Sequence, residues 1–245
     1  MANLIVKIKR QASSKNITSS DSFAVMPHAQ MTIRDILKQI RKHPKDIHGK
    51  VVKPVLWDEY CTQGVCGSCT VLVNGVAKQS CLAKVEGLKT PVVIEPLSKF
   101  PVKRDLCVDR SSQQKGMKKT LTWNHVDSFT LTKNPPVFRQ NTNVSNPSNA
   151  CLHCSACMEA CPEYHVDSAY VGPMVLLQAF GRSKDSHGKL LAHKRKNVLQ
   201  SKQGMSGCDH VQNCVKACPV ELPISESIAK MKRQGMQNLL KQFLG

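Results

Sequence analysis

At 245 residues, with 41% hydrophobic, 21% charged and 4% aromatic side chains, the chain has the make-up of one or two globular domains, not of a collagen, a coiled coil or a disordered polymer. Lys and Arg number 35 against 17 Asp and Glu, and the formal charge of +18 favours anionic partners: nucleic acid, anionic lipid or an acidic protein surface. No apolar run approaches the ~20 residues that span a bilayer, and the N-terminus lacks the apolar core of a signal peptide, so twelve cysteines predict metal or redox chemistry rather than a secreted disulfide scaffold.

The first hundred residues predict a small α+β unit. Leu4 to Arg10 alternates as an edge strand does and ends in basic residues. Thr32, with Asp35 three residues later, opens a helix whose apolar stripe is Ile33, Ile36, Leu37 and Ile40; Lys42, His43 and Pro44 end it. Val55 to Tyr60 reads as a strand. Thr70 to Val73 and the segment from Val76 flank Asn74-Gly75, the pair that suits a type I′ hairpin turn. Val92 to Leu97 supplies a further strand between Pro91 and Pro96. Asp105 to Leu121 is a candidate helix, and Lys133 to Ala150, rich in Asn, Pro, Ser and Thr, is a linker or extended surface segment. The rest reads as helical. Pro173 stands at the start of a helix with Met174, Leu177 and Phe180 on its apolar side, and Pro223 does the same before Ile224, Ile228, Met231, Leu239 and Phe243. Arg182 to Lys202 is a basic loop and helix face, in which Lys194, Arg195 and Lys196 are candidates to meet anionic headgroups.

The cysteines fall into three groups. Cys61-x4-Cys66-x2-Cys69, followed by Cys81, has the spacing of plant-type [2Fe–2S] ligands. Gly64 and Gly67 let backbone N–H groups approach inorganic sulfide with no Cβ in the way, and the Asn74-Gly75 hairpin folds Cys81 back toward the loop. A Cys₄ zinc site is the alternative, although zinc more often takes paired knuckles. Cys151-x2-Cys154-x2-Cys157-x3-Cys161-Pro162 is the complete bacterial ferredoxin run, whose fourth cysteine ligates the other cluster of a pair. Cys208-x5-Cys214-x3-Cys218-Pro219 repeats that run at an offset of 57 residues, with Val211 where the second cysteine would stand. Crossing the fourth ligands gives Cys151, Cys154, Cys157 and Cys218 to a [4Fe–4S] cluster and leaves Cys161, Cys208 and Cys214 for a [3Fe–4S] cluster. A [4Fe–4S] cluster with Asp209 or His210 as fourth ligand is the competing reading of the second set. Cys107 stands apart and reads as a small buried hydrophobe. The sequence has no dinucleotide fingerprint, P-loop or haem attachment motif, so the chain carries electrons and has no catalytic residue of its own.

In this order and at these spacings, with the run from Cys61 to Cys69, the Asn74-Gly75 hairpin, Arg104-Asp105-Leu106 and both Cys-Pro pairs, the sequence resembles the iron–sulfur subunit of succinate dehydrogenase and fumarate reductase, respiratory complex II. The resemblance implies an N-terminal β-grasp plant-type ferredoxin domain over residues 1–105. It implies an all-α two-cluster ferredoxin domain over 106–245. It further implies a flavoprotein subunit with covalent FAD that oxidises succinate or reduces fumarate, a membrane-anchor subunit of cytochrome b type, and quinone at the [3Fe–4S] end. Electrons from succinate would pass from flavin through [2Fe–2S], [4Fe–4S] and [3Fe–4S] to quinone, with the chain peripheral on the cytoplasmic face of a bacterial inner membrane and no nucleic-acid partner. Four positions depart from the family pattern: Val166 in place of a tryptophan, Asp209 followed by His210 in place of a histidine, Thr62-Gln63 in place of an Arg-Glu pair, and Cys107 in place of a valine. The cluster ligands transfer; the quinone contacts do not. The remaining alternatives are the iron–sulfur subunit of another quinone-linked dehydrogenase and, from a different class, a basic zinc protein that binds nucleic acid. Few aromatics and no finger-like histidine spacing weigh against the latter.

Overall fold

The computed structural model of the chain describes residues 3–13, 18–123, 146–184 and 191–244, with side chains to residue 237. Five strands form a mixed sheet in the order β2-β1-β5-β3-β4. β1 (Leu4–Arg10) pairs antiparallel with β2 (Ser19–Val25), from Leu4↔Val25 to Arg10↔Ser19, and parallel with β5 (Val92–Glu95) through Val6↔Val92 and Ile8↔Ile94. β3 (Thr70–Val73) is antiparallel to both β5 and β4 (Val76–Gln79). The period-two alternation buries Val6 and Ile8, Phe23 and Val25, and Val92 and Ile94. Helix α1 (Ile33–Lys42) delivers Ile33, Ile36, Leu37 and Ile40 to the same core. Each such side chain contributes about 1.5–3 kcal/mol when fully buried. This α+β arrangement of a five-stranded mixed sheet and one helix is the expected β-grasp.

The local signals act as their chemistry requires. The Thr32 hydroxyl accepts from the Asp35 N–H while the Thr32 N–H donates to Asp35 Oδ2 at 2.9 Å, a complete capping box. Asn74 and Gly75 have φ of +50° and +80°, the left-handed pair that a type I′ turn needs. The Asn74 side chain also accepts from the Val93 N–H at 2.8 Å, which ties the turn to β5.

Two of the expected elements need correction. Residues 55–60 form no ladder. They run extended, with Val55 and Trp57 buried, but the Leu56 N–H donates to Asp105 Oδ2 at 3.1 Å and the Leu56 carbonyl accepts from the Leu106 N–H at 3.1 Å. A carboxylate thus takes the donor that a neighbouring strand would have taken. The candidate helix from Asp105 begins later: β6 (Val102–Arg104) and β7 (Cys107–Val108) form a small hairpin turning through Asp105, at φ +49°, and Leu106, and α2 spans Ser111–Lys119.

The chain divides into two units, Met1–Arg110 with Leu152–Ala160 and Ser111–Cys151 with Cys161–Gly245. The first contains the sheet and short α3 (Ala156–Glu159). The second is helical, built on α2, α4 (Pro173–Lys184), α5 (Ala192–Gln200), short α6 (Asn213–Lys216) and α7 (Ile224–Leu244). In α4 every residue from Pro173 to Gly181 is buried, as in a core helix covered on all sides. A Cβ at Gly181 would collide with the Ser148 hydroxyl. Arg195 corrects the lipid-facing expectation: it is fully buried, and its Nε and Nη2 donate to the Leu121 carbonyl at 3.1 and 2.8 Å. Residues 133–145 of the expected linker, and the side chains of Leu239 and Phe243, lie outside the described residues.

The Arg104-Asp105-Leu106 turn is held by one buried carboxylate. Asp105 accepts from Arg10 Nε at 2.9 Å as well as from Leu56 N–H, and Arg10 also binds Asp21 Oδ2 and the Lys53 carbonyl, each at 2.9 Å. Arg10 keeps Asp21, but the Leu56 N–H loses its acceptor and Arg10 one of its two carboxylates, so Asp105→Ala is expected to cost about 2 kcal/mol of stability. Chemical denaturation of parent and variant measures it.

Candidate metal centres

The first cysteine loop is positioned from both ends. Ahead of it, Arg34 and Lys38 on α1 both reach the Glu59 carboxylate, Lys38 at 3.5 Å, and the Arg41 guanidinium lies 4.5 Å from the centre of the Trp57 ring. These contacts pin the segment that leads into Cys61. Behind it, Cys69 precedes β3 and Cys81 follows β4, so the tight hairpin sets their sulfurs 3.4 Å apart. Gly64 and Gly67 adopt φ of +76° and +68°, where a side chain is strained. A Cβ at Gly64 would strike Leu82, and one at Gly67 would lie 2.6 Å from Cys154 Cα, Cys154 Cβ and the Leu152 carbonyl oxygen.

Cys61, Cys66, Cys69 and Cys81 share one electrostatic neighbourhood. Burial works to raise the Cys66 pKa, but hydrogen bonding with Ser68, whose hydroxyl stands 3.1 Å away, and with Cys61 outweighs it and brings the thiol down to about 6. Burial, then the adjoining Cys69 and Cys61 sulfurs, push Cys81 up to about 11. Crowded sulfurs that repel one another's ionised forms are the donor set that a cationic iron centre relieves. The glycine cradle and the all-thiol donor set fit a [2Fe–2S] cluster.

The 57-residue repeat is present in the backbone. His153 and His210 are left-handed at φ +53° and +56°, as are Ser155 and Gln212 at +72° and +65°. Each pair precedes a one-turn helix, α3 or α6. The Tyr164 N–H donates to the Cys161 carbonyl at 3.3 Å, and the Glu221 N–H to the Cys218 carbonyl at 3.2 Å. Val211 therefore occupies the same local conformation as Cys154. In the first unit, Cys154 and Cys157 are buried. In the second, Cys151 closes the 3₁₀ turn Pro147–Ala150, and Cys218 Sγ accepts the Leu222 N–H at 3.4 Å.

Within the second unit, Cys161, Cys208 and Cys214 line one small open cavity, together with Tyr170 and Val211. Burial and the Cys161 and Cys208 sulfurs raise the Cys214 thiol to about 11. The buried Tyr170 hydroxyl makes no hydrogen bond of good geometry, and burial, then Cys208, Cys161 and Cys214, hold its pKa far above the usual phenol range. Lys232 Nζ donates to the Cys208 carbonyl at 2.8 Å and fixes that cysteine's loop. Three thiols around a cavity, an unpaired hydroxyl facing them and valine at the fourth corner fit a three-thiolate iron–sulfur centre. Among the described residues, no three Cys, His, Asp or Glu side chains converge closely enough to seat a single metal ion.

Tyr170 and Lys232 carry no sequence signal of their role. Each is set by the fold beside a cysteine loop far from it in the chain. No disulfide links any of the twelve cysteines, and Cys107 sits on β7. Its thiol is pushed up to about 12 by burial and by Asp58.

Two families match the chain: the 2Fe-2S iron-sulfur cluster binding domain over residues 5–115 and the 4Fe-4S dicluster domain over residues 147–222. The chain is 30% identical over 239 residues to the succinate dehydrogenase iron-sulfur subunit of Bacillus subtilis, a match covering 97% of this chain and 94% of the relative. It is 25% identical over 255 residues to the fumarate reductase iron-sulfur subunit of Escherichia coli, covering 100% and 96%. A chain of the Mycobacterium smegmatis Sdh1 complex in the apo form shares the fold, with a TM-score of 0.76 at 20% identity over 97% of both chains.

Cys107 separates ligands from bystanders. It stands on β7, outside the three cysteine groups, so Cys107→Ala is expected to keep the full iron and acid-labile sulfide content, whereas Cys69→Ala loses the first centre. Iron and sulfide assays on the two variants, purified without oxygen, check both.

Proposed function

Because the chain belongs to the succinate dehydrogenase and fumarate reductase iron–sulfur subunit family, we propose that it relays electrons between an FAD-containing succinate or fumarate subunit and membrane quinone. Bound clusters would supply one-electron carriers; the chain's residues hold, space and electrostatically bias them. Cys61, Cys66, Cys69 and Cys81 hold [2Fe–2S], Cys151, Cys154, Cys157 and Cys218 hold [4Fe–4S], and Cys161, Cys208 and Cys214 hold [3Fe–4S]. The clusters are divided between two domains, residues 1–105 and 106–245. The observation that carries the reading is the repeat, in which one of the two matching ligand conformations presents valine to a cavity shared by three thiols.

The partners follow from the family: a flavoprotein that holds the substrate site and a membrane anchor that supplies the quinone contacts. Among the described residues no helix is long and apolar enough to cross a membrane, so attachment to a bilayer would come through the anchor. We place the complex on the cytoplasmic face of a bacterial inner membrane. A zinc-dependent nucleic-acid binder is set aside on the family assignment.

Val211→Cys tests the three-thiolate site. The new thiol stands in the backbone conformation of Cys154 and should recruit a fourth iron. The expected outcome is loss of the oxidised [3Fe–4S] EPR signal and slower quinone reduction. Succinate oxidation with an acceptor that draws directly from the flavin should survive. A parent without that signal when fully oxidised, or a variant that retains it, contradicts the assignment.

A further inference from the structure

Arg110, the last residue of the first unit's main segment, reaches back into the first cysteine loop. Its Nη1 donates to the Gly67 carbonyl at 3.1 Å and its Nη2 to the Ser68 carbonyl at 2.8 Å, with the Thr70 carbonyl at 3.5 Å from the same nitrogen. Its Nε is withheld from solvent with no hydrogen-bond partner. The gripped peptide is the one that packs against Cys154, where an added Cβ at Gly67 would have only 2.6 Å of room. A guanidinium is planar and presents donors in a rigid fork, so two consecutive carbonyls are held at once. Burial lowers its pKa, while Asp58 and the Cys154, Cys69 and Cys66 sulfurs act to raise it, which places its charge within reach of ligands from two cysteine groups.

We propose that Arg110 is a positioning residue that locks the Gly67–Thr70 peptide against Cys154 and whose fixed positive charge raises the reduction potential of the centre held by Cys61, Cys66, Cys69 and Cys81. The proposal rests on the assignment of a [2Fe–2S] cluster to those four cysteines. Reduction adds one electron and makes the site more negative by one charge. A nearby cation stabilises that state more than the oxidised one. With the charge half-buried in a region of low effective dielectric, solvent screens it only partly.

The experiment is a potentiometric EPR titration of the [2Fe–2S] signal in the intact complex, in the parent and in Arg110→Gln and Arg110→Lys. Glutamine keeps an amide donor and loses the charge; lysine keeps the charge and loses the fork. Arg110→Gln is expected to reduce the equilibrium constant for one-electron reduction about tenfold, a fall of about 59 mV. Arg110→Lys is expected to leave the potential close to the parent's. If Gln fails to assemble the cluster, Arg110→Met serves as the second neutral variant, with the same fall expected. Equal shifts in the lysine and neutral variants, no shift in the neutral ones, or loss of the cluster from all three variants would reduce Arg110 to a packing residue and overturn the proposal. Absence of any [2Fe–2S] signal in the parent overturns the cluster assignment instead.

Discussion

One close backbone approach governs the first unit. Gly67, at positive φ, lies so near Cys154 that no side chain could stand between them. This contact joins a loop emerging from a β-sheet to a cysteine far later in the chain, and it sets the spacing of the two cysteine groups at their point of contact. The sheet exists, in functional terms, to hold this loop still. The capped helix α1 anchors its entrance through Glu59 and Trp57, the Asn74-Gly75 hairpin returns Cys81 to Cys69, and Arg110 grips its peptide carbonyls. On the later side of the contact, Glu159 in α3 accepts from the Ser98 and Lys99 N–H groups at 2.9 and 3.2 Å, tying that segment to the sheet's last connection.

The later cysteine runs solve a different problem. The segments around Cys154 and Val211 share one backbone design, a pair of left-handed residues followed by a single helical turn, so loss of one ligand does not require loss of the loop. Val211 keeps the conformation and withdraws the thiol. Cys161, Cys208 and Cys214 remain around their cavity beside a buried, unpaired tyrosine hydroxyl, and a three-thiolate centre carries less negative ligand charge than a four-thiolate one. On the proposed assignment, that difference would favour a higher potential at the end from which electrons leave.

Much of this was legible before the fold. The thiol spacings, the 57-residue repeat, the capping box at Thr32 and the Asn74-Gly75 turn are local features whose chemistry acts within a few residues of itself. Misreadings fell where a distant side chain decides. The alternation at 55–60 is real, but the Asp105 carboxylate, about fifty residues on, takes the Leu56 N–H and leaves an extended segment outside any ladder. Lys194-Arg195-Lys196 has the composition of a solvated face, yet the Arg195 guanidinium turns inward to the Leu121 carbonyl. Arg110 and Tyr170 belong to the same class, because proximity to a cysteine loop is a property of the fold and leaves no mark in spacing or periodicity.

On the proposed assignment, eleven of the twelve cysteines build three centres of different iron content. The most direct measurement is a Mössbauer spectrum with iron and sulfide analysis on the complex purified without oxygen. The account predicts about nine irons on this chain, resolved as two-, four- and three-iron components. A tenth iron with two four-iron components, or zinc in place of one cluster, would contradict it.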